Sequence, residues 1–336
     1  MKTQYFSIIA TSIYALSLIF IPISTSAQDK TKSTANTNAK VKQKTILIAA
    51  KWMPNQTMTY VFEKTRRGHD GAIVVQNYEV TVKVLQRLPN KNYQLELTLP
   101  SVHLPGRLYP VTANPEVLKI YEDGLANSKG MLIIITTDKN GNLEKLDNWQ
   151  EIGAVIRSVF EKIFKDLDAE KRAATLKVIE GLYATERSSR EYTMTDLGLF
   201  LTPLGEELVP DEESVVEGDS SAGEMGGFIK SKETWLLKKD LPETGLATIT
   251  VERTYDRDSL QAKAEEHLKK LNLAKPPSRE ALIKQMDLRE ASSFVMDLKT
   301  GWLISAKLTR DVGGQIREPS STTNVAAQAI YRVWRK

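Results

Sequence analysis

The 336-residue chain contains no cysteine and only three histidines. Without sulfhydryls there are no disulfides, no thiolate metal sites and no cysteine nucleophile. His69, His103 and His267 are the only imidazoles, and none sits in a recognisable catalytic context. A glycine-rich phosphate loop, an HExxH helix and carboxylates paired for acid–base work are also missing. After residue 27 no stretch is long and apolar enough to match the roughly 20 residues a spanning helix needs. The remaining composition, 41% hydrophobic and 26% charged, is that of an ordinary globular chain. That balance excludes global disorder, and the length suffices to bury a large core without a metal or disulfide staple. No residue stands out as catalytic, cofactor-binding or metal-ligating.

What is present begins with an address. Lys2 is the only charge in the first 27 residues, and an apolar-rich run extends from Ile8 to Ile23. Pro22 breaks it, and Thr25-Ser26-Ala27 supplies the small residues a signal peptidase reads. Residues 1–27 therefore read as a signal peptide cleaved after Ala27, for export to the periplasm or beyond. The alternative, an uncleaved anchor, suits the run less well because Thr11, Ser12 and Ser17 interrupt it. Residues 28–44 carry five lysines, one aspartate and no aromatic side chain. Such a segment buries too little apolar surface to offset its ordering entropy, so it reads as a flexible Lys-rich leader. Without it and Lys2, the formal charge of +4 falls close to neutral. A folded part without a basic surplus excludes nucleic acid as the expected partner.

Residues 45–336 read as a single domain. Over 45–147 the pattern is a β meander. Met58, Tyr60 and Phe62 alternate with polar neighbours, Val74 to Val84 share one face of a long strand over 72–87, and Leu95, Leu97 and Leu99 repeat the spacing. Turns are expected at Gly68–Gly71 and Pro89-Asn90, and the apolar run Met131–Ile135 predicts a central strand. It ends at Asp138-Lys139-Asn140-Gly141, a hairpin turn by its Asn-Gly. Asp138, Asn140 and Asn142 share the alternation of a calcium loop, but Leu143 and Trp149 stand where that loop needs its glycine and glutamate.

A helical insert is expected over 148–197. Asn148 and Glu151 form a capping-box pattern, and Ile152 to Leu167 carry one apolar stripe, while Asp168 opens a second helix to about Leu182. Over 198–227 the composition shifts. Residues 205–224 hold eight acidic side chains and no basic one, so mutual repulsion predicts a mobile acidic loop. Ser220 and Ser221 within it each have only one of the two flanking glycines of a nucleophile elbow, and no strand is expected before them. Strands return over 228–336, with a hairpin Phe228–Lys238/Leu246–Asp256 and helices within 258–287. Asp258 is the expected cap of the first of these, and Ser278 of a short second one to about Met286. Three last strands cover 292–298, 302–309 and 325–334, with Gly301 at a left-handed hairpin position. Trp52, Trp149, Trp235, Trp302 and Trp334 read as core or sheet-edge residues. The fold class is thus α+β, one large curved antiparallel sheet packed with helices and interrupted mid-chain.

Together, the segments MTYVFEKTRR (58–67), EVTVKVL (79–85), TDKNGNLEKL (137–146), ETWLLKKDLPETGLATITVERTYD (233–256) and FVMDLKTGWLISAKL (294–308) resemble exported bacterial proteins whose domains have no assigned function. Those in turn are similar to the lipoprotein-carrier group typified by LolA and LolB. The resemblance implies a half-barrel-like sheet partly wrapped around helices, with an apolar concavity able to hold acyl chains. It carries over no site residue. The expected function is a soluble, non-enzymatic envelope protein that binds a lipid or another hydrophobic ligand, without a cofactor. The alternative is an interaction or structural module that binds an envelope protein through the acidic segment and sheet edges. A hydrolase would need His69 or His103 to meet carboxylates in a cleft.

Overall fold

The structure is a computed structural model that describes residues 44–67, 73–102, 104, 115–126, 128, 130–221, 228–238, 245–271, 288–312 and 327–336. Residues 1–43, which hold the expected signal peptide and nearly all of the expected leader, the turn expected at Gly68–Gly71 and the short helix expected over 278–286 lie outside the described residues. The fold is α+β, dominated by an eleven-stranded antiparallel sheet that stays open. Its strands are β2 (Thr57–Arg67), β3 (Ile73–Arg87), β4 (Tyr93–Leu99), β5 (Met131–Thr137), β6 (Leu143–Leu146), β8 (Glu213–Ser221), β9 (Phe228–Lys238), β10 (Leu246–Tyr255), β11 (Leu288–Asp297), β12 (Trp302–Val312) and β13 (Ala327–Arg335). A separate two-stranded ribbon joins β1 (Ile46–Leu47) to β7 (Glu207–Leu208).

Strand order is β6-β5-β4-β3-β2-β13-β12-β11-β10-β9-β8. The chain meanders outward from β2 to the β6 edge, crosses through helices, re-enters at the opposite edge with β8, and meanders back. β13 then closes the sheet in the middle by pairing with β2, Val333 opposite Phe62. Both termini of the domain therefore meet at the centre of the sheet, and the helices span it from edge to edge.

Five helices are present among the described residues: α1 (Pro115–Ala126), α2 (Trp149–Ile163), α3 (Ala169–Leu182), α4 (Glu186–Leu197) and α5 (Arg257–Leu271). The stripe Ile152, Ile156, Val159, Phe160 and Ile163 of α2 is buried, as its 3.6-residue spacing requires. α1 packs across it, Tyr121 edge-on to Phe160 at 6.3 Å. This helix falls within the stretch expected to be all β. A proline at its first position, where no amide hydrogen is needed, marks its start. Asp168 caps α3 by accepting from the Lys171 amide at 2.9 Å. Asn148 does not cap α2 through its side chain. It accepts from the Ile134 amide and donates to the Leu132 carbonyl instead, fixing the helix start to β5. At α5 the cap is Asp256, two residues before the expected Asp258, and it accepts from the Ser259 amide.

The acidic stretch corrects an expectation. Residues 213–221 are strand β8, the outer edge of the sheet, and not a loop. Glu217 lies opposite Lys232 and Asp219 opposite Lys230 of β9. Repulsion within the segment is thus relieved by opposite charges across the ladder, and the acidic side chains make an edge that resists further pairing.

One end of the sheet is sealed by the segment leading into β2. Ile48 exchanges hydrogen bonds with Glu206 and Gly205, the Ala50 amide donates to Asn140, and Lys51 donates to Thr300 and Leu298. Trp52 stacks on Trp302 at 4.9 Å and meets Tyr93 edge-on at 5.2 Å. Gly301 permits this closure. Its φ is +73°, and a Cβ there would lie 2.4 Å from the Ala49 carbonyl oxygen. Gly301→Ala is expected to destabilise the protein by about 2 kcal/mol or more, since left-handed backbone and steric overlap add. Chemical denaturation checks it, and wild-type stability in the variant would refute the role.

Candidate functional site

The inward face of the sheet is graded along the strands. Near the sealed end, one cross-strand row runs Tyr78, Phe62, Val333, Ala306, Phe294, Ile249, Leu237 from β3 to β9. All but Tyr78 are buried and apolar, and the Phe62 and Tyr78 rings stack at 5.1 Å. Four residues further along the strands the chemistry inverts. The row becomes Val74, Arg66, Ala329, Arg310, Glu290, Arg253, Glu233. Between the two stands Lys64, with Tyr331 opposite it.

Period-two alternation puts these charges inside, because Lys64 and Arg66 share the phase of Tyr60 and Phe62. Lys64, Arg66 and Arg310 are each 1% exposed. Such burial is tolerated only where charges are paired and hydrogen-bonded. Glu290 bridges two cations, accepting from Arg310 Nε at 2.5 Å and from Arg253 Nη1 at 3.1 Å. Glu233 holds the other side of Arg253 at 2.6 Å and accepts from the Trp235 indole. Burial opposes charge on both guanidiniums, yet the adjoining glutamates and tyrosines raise their pKa above the ordinary arginine value. The same burial pushes the phenols of Tyr255 and Tyr78 well up, so both stay neutral.

Helix α4 completes the site. Its sequence is polar, yet Ser189, Tyr192 and every residue from Thr193 to Leu197 are buried, because the helix runs into the concavity of the sheet. At the β6 edge Glu186 accepts from the Leu146 amide and Arg190 donates to the Glu144 carbonyl, so side chains cover the unpaired strand. At the other end Asp196 receives Lys64 Nζ at 2.6 Å. The ammonium also lies 4.7 Å from the centre of the Tyr331 ring. Burial lowers the Lys64 pKa to about 7, with Arg66 and Arg310 acting in the same direction and Asp196 opposing them.

Among the described residues, the other candidates do not gather into a site. Asp138 accepts from the amides of Asn140 and Asn142 and from the Asn142 side chain, which makes the segment a self-bonded turn with Gly141 at φ +103°. Ser220 is buried on β8, its oxygen 2.7 Å from that of Ser231. His69 and His103 lie outside the described residues, and His267 falls on α5. Trp52, Trp235 and Trp302 are buried, whereas Trp334 is half-exposed on the outer face. A polar groove of about 650 Å³ between α2 and α3 is lined by Arg157, Glu161, Arg172 and Glu180 among others, with Arg157 paired to both glutamates. Among the described residues no helix is long and apolar enough to cross a membrane. The ionic row was missed in the sequence because charges on a strand read as its solvent face. The signal was there in Val251, Arg253, Tyr255, where a cation keeps the phase of the core.

Compared with known proteins, the chain matches no family model and no curated relative.

The buried pair yields two linked expectations. Lys64→Met alone takes the lysine from Asp196 in the interior and should cost about 3–5 kcal/mol, while Lys64→Met with Asp196→Leu should recover most of it. In the folded state Lys64 loses its proton near pH 7, whereas in the unfolded chain it keeps it to its ordinary value of 10.5. The unfolded state thus binds more protons between pH 7 and 9, and stability rises with pH across that window. Urea titrations at pH 7 and 9 should show this rise in the wild type and lose it in the double variant; an equal rise in both would refute it.

Proposed function

We propose that this protein is an exported, non-enzymatic carrier of the cell envelope that holds a lipid or another apolar ligand against the inner face of its sheet. The observation that carries the reading is the pairing of a continuous apolar row, Phe62 to Leu237, with a cover made of helices. Packed helices can shear by small amounts without breaking a ladder, and that is the movement by which a ligand would reach this buried face. The export signal in residues 1–27 and the resemblance to the lipoprotein-carrier group agree with this reading, as does the scarcity of histidine and absence of cysteine.

Mass spectrometry of organic extracts from the protein, purified from an exporting host, tests it. A carrier should yield an apolar molecule in near-stoichiometric amount. Protein that binds no lipid in its purified state or on incubation with lipid extracts would contradict it, and would favour an envelope interaction module whose complexes weaken with salt.

A further inference from the structure

We propose that the ligand is an anionic amphiphile whose oxyanion head, a carboxylate or phosphate, seats over Ala329 between Arg66 and Arg310, with its apolar tail along the Phe62–Phe294 row. This rests on the carrier reading and narrows its ligand class. Arg66, Ala329 and Arg310 are consecutive cross-strand partners on β2, β13 and β12. Adjacent strands lie about 4.8 Å apart, so the two arginines stand two spacings, about 10 Å, from each other. Only a methyl group rises between two of the longest side chains in the protein, and all three residues are buried.

Arg310 commits one edge of its fork to Glu290 through Nε. Its Nη2 is buried and has no hydrogen-bond partner among the described residues. Buried donors are almost always satisfied, and one that is not points to a water, ion or ligand. A guanidinium fork fits a planar carboxylate or a phosphate better than any neutral acceptor. The neighbouring row shows how an oxyanion is received here, since the Asp196 carboxylate meets Lys64, two residues from Arg66, at 2.6 Å. Four residues deeper, Phe62, Val333, Ala306 and Phe294 are wholly apolar. Head and tail chemistry thus lie in register on the same face.

Calorimetric titration of the purified protein, with palmitate, hexadecyl phosphate and hexadecanol as probes, tests this. The three share a tail and differ in the head. Either anion should bind about tenfold or more tighter than the alcohol, the value of a charged hydrogen bond in a buried site. The tighter of the two identifies the head. Arg310→Gln should abolish this preference. Because Arg310→Gln also frees Glu290, the wild-type comparison stands alone if the variant does not fold. Equal binding of all three probes would overturn the headgroup site and leave the carrier reading intact. Binding of none would overturn both.

Discussion

The protein depends on burying charge inside an open sheet and then neutralising it from a helix. A sheet that meanders from its centre to one edge and returns from the other cannot close its own seam, so something must fill the concavity. Here the chain between the two edges supplies the filler, and its last helix, α4, is polar where it is buried. The Lys64–Asp196 pair makes that combination tolerable. Without it, a carboxylate would sit in an apolar interior and an ammonium would face Arg66 and Arg310. The pair joins a central strand of the sheet, β2, to the far end of the insert, and so couples the two.

The ends of the concavity are built on opposite principles. At the sealed end, backbone hydrogen bonds and the stacked rings of Trp52, Trp302 and Tyr93 exclude water. At the other, Glu290 and Glu233 interleave with Arg253 and Arg310, so the interior stays polar at a cost in desolvation. Apolar residues of similar size would stabilise a merely structural core at least as well. Retention of an ionic row beside an apolar one is what an amphiphile site requires, and this is the physical basis of the functional proposal.

Much of the fold was legible because alternation reads the strands directly. Phe228–Lys238 was placed to the residue, and Gly301 and Asn140-Gly141 announced their turns. What failed shares one cause. The acidic run over 213–221 reads as a loop until Lys230 and Lys232 are known to lie opposite, and Asn148 reads as a cap until β5 is seen to claim its side chain. The ionic row is the extreme case. Lys64, Arg66, Arg253, Glu290 and Arg310 lie on four strands spread over nearly 250 residues of sequence, and only the register sets Arg310 beside Glu290 and Glu290 beside Arg253. No local pattern contains that information.

The central claim is that the insert is held to the sheet by the buried Lys64–Asp196 contact and can part from it while the sheet persists. Hydrogen exchange of the Asp196→Asn variant against wild type measures this most directly. The account predicts faster exchange across 186–204 with unchanged protection in β2, β12 and β13. Equal acceleration in insert and sheet, or none in either, would show that the two form one cooperative unit and would contradict it.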